Sequence, residues 1–381
     1  MKIGIVGPNA QPGRIGGLEI LFLNLIKFLG EYDKENSYTL YLPEVYDKKI
    51  DLPGNFTLVR PQSKLDWWGY LDPRVWGRPN YRRDQGLRRF FANEPVDLLH
   101  FPFTTIHPQG IKKKKVLTFA DLQQEYFPEF FDEAELVHRR LSYKPSAMEA
   151  DHIISISNYT KKGLVEKYNI PAEKITTIYL TFNKDIFTSG AKPVKSEYPY
   201  FFYPAGRWQH KNHSRLINAF AAVAKQNASV RLKLTGTVQS QDEAIASQIK
   251  SLGLGGRIDF LGHVSEKQLP DLYRGATALI FPSLFEGFGI PIVEAMASGC
   301  PVACSNTTSL PEVGGQAALY FDPAKESEIT DAMIRLLNDE SLRQRLAKLG
   351  FDQVRKFTPE AMARQTVKIY ELVNKEKNET Y

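Results

Sequence analysis

A chain of 381 residues with a formal net charge of +6 is too long for one ordinary core and suits two α/β domains. Its 43% hydrophobic and 24% charged residues exclude a disordered or fibrous protein, and no run approaches the roughly 18–20 apolar residues that span a bilayer. Two cysteines, Cys300 and Cys304, make neither a disulfide framework nor a zinc site; they read as small buried apolar residues of a cytoplasmic protein.

The first apolar run, 2–6, ends at Gly7-Pro8 and is too short for a secretory signal, so it reads as a buried strand. Further strands are expected at 38–42, 98–101, 115–118 and 152–156, with helices over 18–29 and from 158 onward. Between 60 and 115, twelve Lys/Arg stand against five acids, interleaved with Trp67, Trp68, Tyr70, Trp76, Tyr81, Phe90 and Phe91. That mixture suits an anionic membrane surface or a phosphate-bearing acceptor, and equally a solvated face with aromatics reaching inward. No nucleic-acid-binding motif accompanies it. The polar stretch 191–198 reads as a linker after a first domain ending at 190.

A second series then restarts, with strands at 200–204, 231–235, 258–261, 277–281 and 302–303. Its helices are expected over 214–226, 242–252, 266–274 and 291–297. A helix pattern at 359–375 follows the second core and is expected to pack back on the first domain. Alternating strands and helices imply parallel sheets covered on both faces. The fold class is therefore α/β, with two Rossmann-like domains, 1–190 and 199–358, and a C-terminal helix within 359–381. Ligands of open parallel sheets bind beyond the carboxyl ends of the strands, so two such domains facing across a cleft would hold the site there.

Three loops carry the chemistry, each after an expected strand. The first, 7–17, ends in Gly16-Gly17 and opens a helix, whose N-terminus favours a phosphate. It lacks the Gly-x-Gly-x-x-Gly dinucleotide fingerprint, and a tight strand-to-helix turn explains it equally well. The second, Gly206-Arg207-Trp208-Gln209-His210-Lys211-Asn212, puts a guanidinium and an ammonium four residues apart, suited to a departing diphosphate. In the third, Glu286-Gly287-Phe288-Gly289-Ile290-Pro291-Ile292-Val293-Glu294, a loop carboxylate and a helix carboxylate could each accept paired hydroxyl hydrogen bonds from a sugar. Such charged bonds are worth about 1.5–3 kcal/mol each. Pro291 suits the start of the helix and Gly299 its end. Gly287 and Gly289 leave backbone N–H groups open to a sugar or phosphate.

Glu286-x7-Glu294, Gly206-Arg207…Lys211-Asn212 and Gly16-Gly17 together resemble the family-4 retaining glycosyltransferases of the GT-B fold. The segments 150–157, 260–265 and 297–302 agree, and the likeness spans nearly the whole chain. The runs 97–102, 121–123 and 126–131 are similar to bacterial polysaccharide and O-antigen mannosyltransferases. The resemblance implies that Glu286 binds the transferred sugar and Glu294 the ribose. Arg207 and Lys211 would hold the diphosphate, Gly16 and Gly17 would supply backbone near it, and backbone around Val264 would meet the base. Gly287, Phe288, Gly289 and Ile290 would line the donor.

Two departures stand out. Ala120-Asp121 replaces the His-Asp that members often carry near the sugar's O6, leaving Asp121 with His107 as a substitute. The interval from Arg207 to Lys211 is also one residue shorter than usual. The resemblance implies a nucleotide-sugar substrate, GDP-mannose favoured, and a glycan or lipid-linked acceptor. No cofactor and no metal are expected, since no Asp-x-Asp pair of the metal-dependent kind occurs. A peripheral position on the inner face of the membrane fits a lipid-linked acceptor. The rival readings are a GT-B epimerase or phosphorylase, or a non-catalytic sugar-nucleotide-binding protein.

Overall fold

The computed structural model describes residues 1–8, 17–61, 81–187, 194–236 and 242–375. The chain divides into two compact units, Met1–Leu180 with Pro359–Tyr381, and Thr181–Thr358. The division precedes the boundary read at 190. Within the second unit the Phe187 ring is buried 6.1 Å from Tyr273, and the Thr181 hydroxyl donates to Phe357 O at 2.6 Å. Those contacts fasten the segment that the polar linker pattern had obscured. Of that linker, 191–193 lie outside the described residues.

In the first unit the elements run β1 (Lys2–Val6), α1 (Gly17–Tyr32), β2 (Ser37–Tyr41), β3 (Phe56–Val59), α2 (Tyr81–Asn93), β4 (Leu98–Phe101), β5 (Lys114–Phe119), α3 (Gln123–Tyr126), α4 (Glu133–Glu149), β6 (His152–Ser155), α5 (Asn158–Tyr168) and β7 (Ile175–Thr177). All strand pairings are parallel, in the order β3-β2-β1-β4-β5-β6-β7. In β4 and β6 every residue is buried, as a parallel strand covered on both faces requires. Side-chain caps fix helix starts: Asp132 accepts from Glu135 N before α4, and Ser157 from Thr160 N before α5.

The second unit runs β8 (Tyr200–Pro204), α6 (His213–Gln226), β9 (Arg231–Thr235), α7 (Asp242–Ser251), β10 (Ile258–Phe260), α8 (Leu269–Arg274), β11 (Ala278–Phe281), α9 (Ile290–Ala297), β12 (Val302–Ser305), α10 (Leu310–Gly314), β13 (Ala318–Phe321), α11 (Glu326–Asn338) and α12 (Glu340–Val354). Its sheet is parallel too, in the order β10-β9-β8-β11-β12-β13. In each sheet the winding direction reverses once, between β1 and β4 and between β8 and β11. These switch points are where open α/β sheets leave a crevice for ligands. Cys300 and Cys304 are free and buried, and burial pushes the Cys300 thiol up to about 12.

The last helix, α13 (Pro359–Lys375), belongs to the first unit, with Met362, Ala363, Ile369, Tyr370 and Val373 in its core. Fully buried His100 of β4 ties it down, with Nδ1 2.7 Å from the Tyr370 hydroxyl and Nε2 2.8 Å from Thr118 Oγ1. Burial lowers the His100 pKa to about 3, so the ring is neutral at physiological pH. Among the described residues, no helix is long and apolar enough to cross a membrane. Replacing Tyr370→Phe strands one ring nitrogen of His100 in the core, and urea unfolding should show a loss of about 1–3 kcal/mol. A loss under about 0.5 kcal/mol would mean that packing, not this bond, holds α13.

Candidate functional site

Parallel neighbours send their following loops off the same edge of the sheet, so the segments after β8 and β11 meet at the switch point. Several bonds lock them together. Leu284 N donates to His210 O at 2.8 Å. The Tyr203 hydroxyl donates to Lys211 O at 2.9 Å and lies 3.2 Å from Ser283 Oγ. Burial, then the Glu286 charge, pushes the Tyr203 phenol well above its ordinary value, so it stays protonated. Asn212, buried and in the left-handed region at φ 61, donates from Nδ2 to Pro282 O at 3.1 Å and Pro323 O at 2.8 Å. Asparagine tolerates that backbone better than most residues and here also supplies the donor.

These locks bring the Lys211 ammonium to 2.6 Å from Glu286 Oε1, with both side chains largely shielded. A charge pair this short is strong only because its loops are already fixed. Arg207, 5% exposed, lays its guanidinium 5.2 Å from the centre of the Phe260 ring. The two cations therefore sit on one loop, in surroundings poorer in water than the surface. The Glu286 backbone is held as well: its N–H donates to Thr308 Oγ1 at 3.3 Å, and Ser309 Oγ lies 2.9 Å from Glu286 O.

Gly289 caps α9 from just before it at φ 111, and a Cβ there would stand 2.8 Å from Leu310 Cδ2. Ile290 follows as the first residue of α9. The Phe288 ring faces inward, 5.6 Å from Phe357, so only its backbone is available to a donor. Glu294, half-buried on α9, accepts from the Tyr273 hydroxyl at 2.8 Å. Burial raises its carboxyl to about 7; the tyrosine bond opposes the rise and the Glu266 charge adds to it. Val264 lies half-buried in the loop after β10, which Gly262 enters at φ 64. Gly236, which the sequence reading passed over, has φ 115, and a Cβ there would meet Ala205 O at 2.5 Å. Only glycine lets the loop after β9 approach the Arg207 loop so closely.

In the first unit, Gly17 starts α1 with open space where a Cβ would stand. Gly16 lies outside the described residues. Asp121 accepts from Gln123 N at 2.9 Å in the loop after β5. His107, in the loop after β4, lies 3.7 Å from Asp84 of α2. Among the described residues, several basic side chains of the stretch 60–115 are occupied within the fold. Arg60 donates to Pro43 O and Tyr46 O, Arg88 to Gln109 O, and Lys113 to Glu94 O and Val96 O. Lys115 is buried on Ile111 O and Lys113 O, and Lys114 faces Asp151 at 3.6 Å. Phe91 is core. Residues 62–80, with Trp67, Trp68, Tyr70 and Trp76, lie outside the described residues. Among the described residues, no three His, Cys, Asp or Glu side chains are grouped to hold a metal ion.

The arrangement can do three things: neutralise a leaving anion with Arg207 and Lys211, accept hydroxyl hydrogen bonds at Glu286, and do the same at Glu294. The chain as a whole resembles known proteins. The family model described as Glycosyl transferases group 1 matches residues 186–353, and Glycosyltransferase Family 4 matches residues 15–185. The O-antigen chain mannosyltransferase B of Escherichia coli is 32% identical over 270 residues, covering 68% of this chain and 71% of that one. The solved sucrose-phosphate synthase of Thermosynechococcus elongatus superposes with a TM-score of 0.77 at 20% identity, covering 98% of this chain and 99% of that one. HepE of Anabaena, in complex with UDP and glucose, gives 0.75 at 18% identity, covering 97% and 99%.

The raised Glu294 carboxyl sets a pH dependence. Folding strengthens its hold on the proton, so its contribution to stability is full below the ordinary value of 4.5 and lost as pH rises through about 7. Between pH 5 and 8, the ligand-free protein should therefore lose about 1–3 kcal/mol more than the Glu294→Gln variant. Urea unfolding across that range would refute this if the two pH profiles ran parallel.

Proposed function

Because this chain belongs to the family-4 glycosyltransferases of the GT-B fold, we propose that it moves mannose from GDP-mannose to a glycan. The acceptor is a growing or lipid-linked chain of polysaccharide or O-antigen type, as the name of the Escherichia coli relative suggests. A nucleotide-sugar donor is supported by the UDP and glucose bound to the Anabaena neighbour. The observation that carries the reading is the Lys211–Glu286 pair at 2.6 Å, beside buried Arg207, at the switch point of the second unit.

In this reading Arg207 and Lys211 take the donor's diphosphate, and Lys211 shares its ammonium between phosphate and Glu286. As the bond from the sugar's anomeric carbon to the phosphate oxygen breaks, negative charge grows on the diphosphate where both cations are already placed. Glu286 accepts from the hydroxyls of the transferred hexose, and Glu294 from those of the ribose. Val264, Gly287, Gly289 and Ile290 contribute backbone. The acceptor hydroxyl attacks on the face the phosphate leaves and gives its proton to a departing phosphate oxygen, which retains the anomeric configuration. The two cations do the charge compensation that a metal performs in other transferases, so EDTA should not slow turnover. We place the reaction at the inner membrane face, where a lipid-linked acceptor would be met; flotation with anionic liposomes at low salt tests that placement.

The decisive experiment is a thermal-shift and turnover screen with GDP-mannose, UDP-glucose, UDP-N-acetylglucosamine and dTDP-rhamnose, using wild type, Lys211→Ala and Glu294→Ala. GDP-mannose should stabilise wild type and be slowly hydrolysed. Lys211→Ala should cut turnover by about 10²–10³-fold, the usual cost of losing one transition-state donor. A preference for another nucleotide would reassign the donor. No response to any of the four, or variants that respond like wild type, would sink the assignment.

A further inference from the structure

We propose that Thr308 and Ser309 are positioning residues that hold Glu286 in its working orientation. The inference rests on the reading of Glu286 as the carboxylate that binds the transferred sugar.

The observation that prompts it is a conflict between residue type and backbone. Thr308 sits at φ 58, in the left-handed region. A β-branched side chain there is a genuine outlier, because its Cβ substituents crowd the neighbouring carbonyls. Glycine would take the same conformation without strain. What glycine cannot supply is a hydroxyl, and the Thr308 hydroxyl oxygen accepts the Glu286 N–H at 3.3 Å. Strained residues of this kind persist where the surrounding structure over-determines them, often beside functional groups.

The next residue completes the hold. Ser309 is fully buried, and its hydroxyl lies 2.9 Å from both Glu286 O and Phe288 O, sharing one proton between two carbonyls. Glu286 is thus gripped at its N–H by Thr308, at its carbonyl by Ser309 and at its carboxylate by Lys211. Strand register explains how a segment 22 residues away in the chain reaches it. Phe281 of β11 pairs with Cys304 of β12, so the two following loops leave the sheet side by side. Asn306 N donates to Phe321 O at 2.9 Å, and Leu310 closes on Gly289 where a Cβ would stand 2.8 Å away. The segment 306–309 is therefore a fixed shelf under the Glu286 loop.

A shelf that only supports the fold and one that aims Glu286 respond oppositely to Thr308→Gly. The test compares wild type, Thr308→Gly, Thr308→Ser, Glu286→Gln and the Thr308→Gly/Glu286→Gln double variant. It reads thermal midpoint together with kcat and KM for GDP release from GDP-mannose. Relief of strain should leave the midpoint of Thr308→Gly at or above wild type, while kcat falls about 10- to 100-fold, the scale expected for a misplaced reactive group. Thr308→Ser, which keeps the hydroxyl, should stay within about threefold of wild type. In the Glu286→Gln background, Thr308→Gly should cost little more, because both act through one carboxylate. A Thr308→Gly variant with wild-type kcat would overturn the inference, as would loss of kcat only in step with the midpoint, or equal losses in the Ser and Gly variants. If wild type releases no GDP, the mannosyl reading itself fails and takes the inference with it; if wild type is active and Thr308→Gly matches it, the inference fails alone.

Discussion

The site depends on one constraint: two loops that leave parallel strands at the switch point must be locked before their charges can be paired. Lys211 and Glu286 are 75 residues apart, and neither could hold the other unaided. A long ammonium side chain loses rotamer freedom when it is fixed, and a shielded carboxylate loses its water. The losses are offset because Asn212, Tyr203 and Leu284 have already joined the loops through bonds that involve no net charge. The ion pair is therefore a consequence of the loop packing more than its cause. Loosening Asn212 should matter to the pair even though Asn212 carries no charge.

The same logic separates the two carboxylates. Glu286 faces a cation and sits in a loop anchored on three sides. Glu294 has a tyrosine hydroxyl for a partner and no cation among its named contacts, so burial dominates and its proton is held up to about pH 7. Two acids eight residues apart thus sit in different electrostatic surroundings, and those of Glu294 push its carboxyl up. A carboxyl kept in so unfavourable a place costs stability in the ligand-free protein. Such a cost is ordinary at functional sites, where a group is placed for a ligand and not for the fold.

Much of this was legible from the chain alone, and the parts that were not share a cause. Strands such as 98–101 and 200–204 are short apolar runs whose buried surroundings match their composition. The helix pattern at 359–375 coincides with α13. The loops carrying Arg207, Lys211 and Glu286 stood out because charged residues at short spacing follow apolar strands there, beside glycines. Thr308, Ser309 and Gly236 escaped notice because their meaning lies in which loop they touch, and spacing along the chain does not encode that. The direction of the lysines at 112–115 was hidden for a related reason. A lysine stem can carry its charge outward to solvent or inward to a carbonyl, and only the fold decides which. Lys113 and Lys115 turned inward, to carbonyls between α2 and β4 and in the loop before β5.

The first unit repeats the topology of the second, and its candidate residues occupy equivalent places. Gly17 follows β1, His107 follows β4, and Asp121 follows β5, all beyond carboxyl ends at or next to the β1–β4 switch point. Their loops are fixed by a hold of the same kind. Thr104, at φ 65, accepts from Ala120 N through its hydroxyl at 3.2 Å, and Thr160 donates to Ala120 O at 3.0 Å. Ala120 is thus gripped at both its N–H and its carbonyl by threonine hydroxyls, one of them in the left-handed region, much as Glu286 is gripped in the second unit. A strained threonine spent on holding a small apolar residue makes sense if what needs holding is its neighbour, Asp121. Both bonds are to the backbone of Ala120, so the placing of Asp121 does not depend on which side chain stands at position 120.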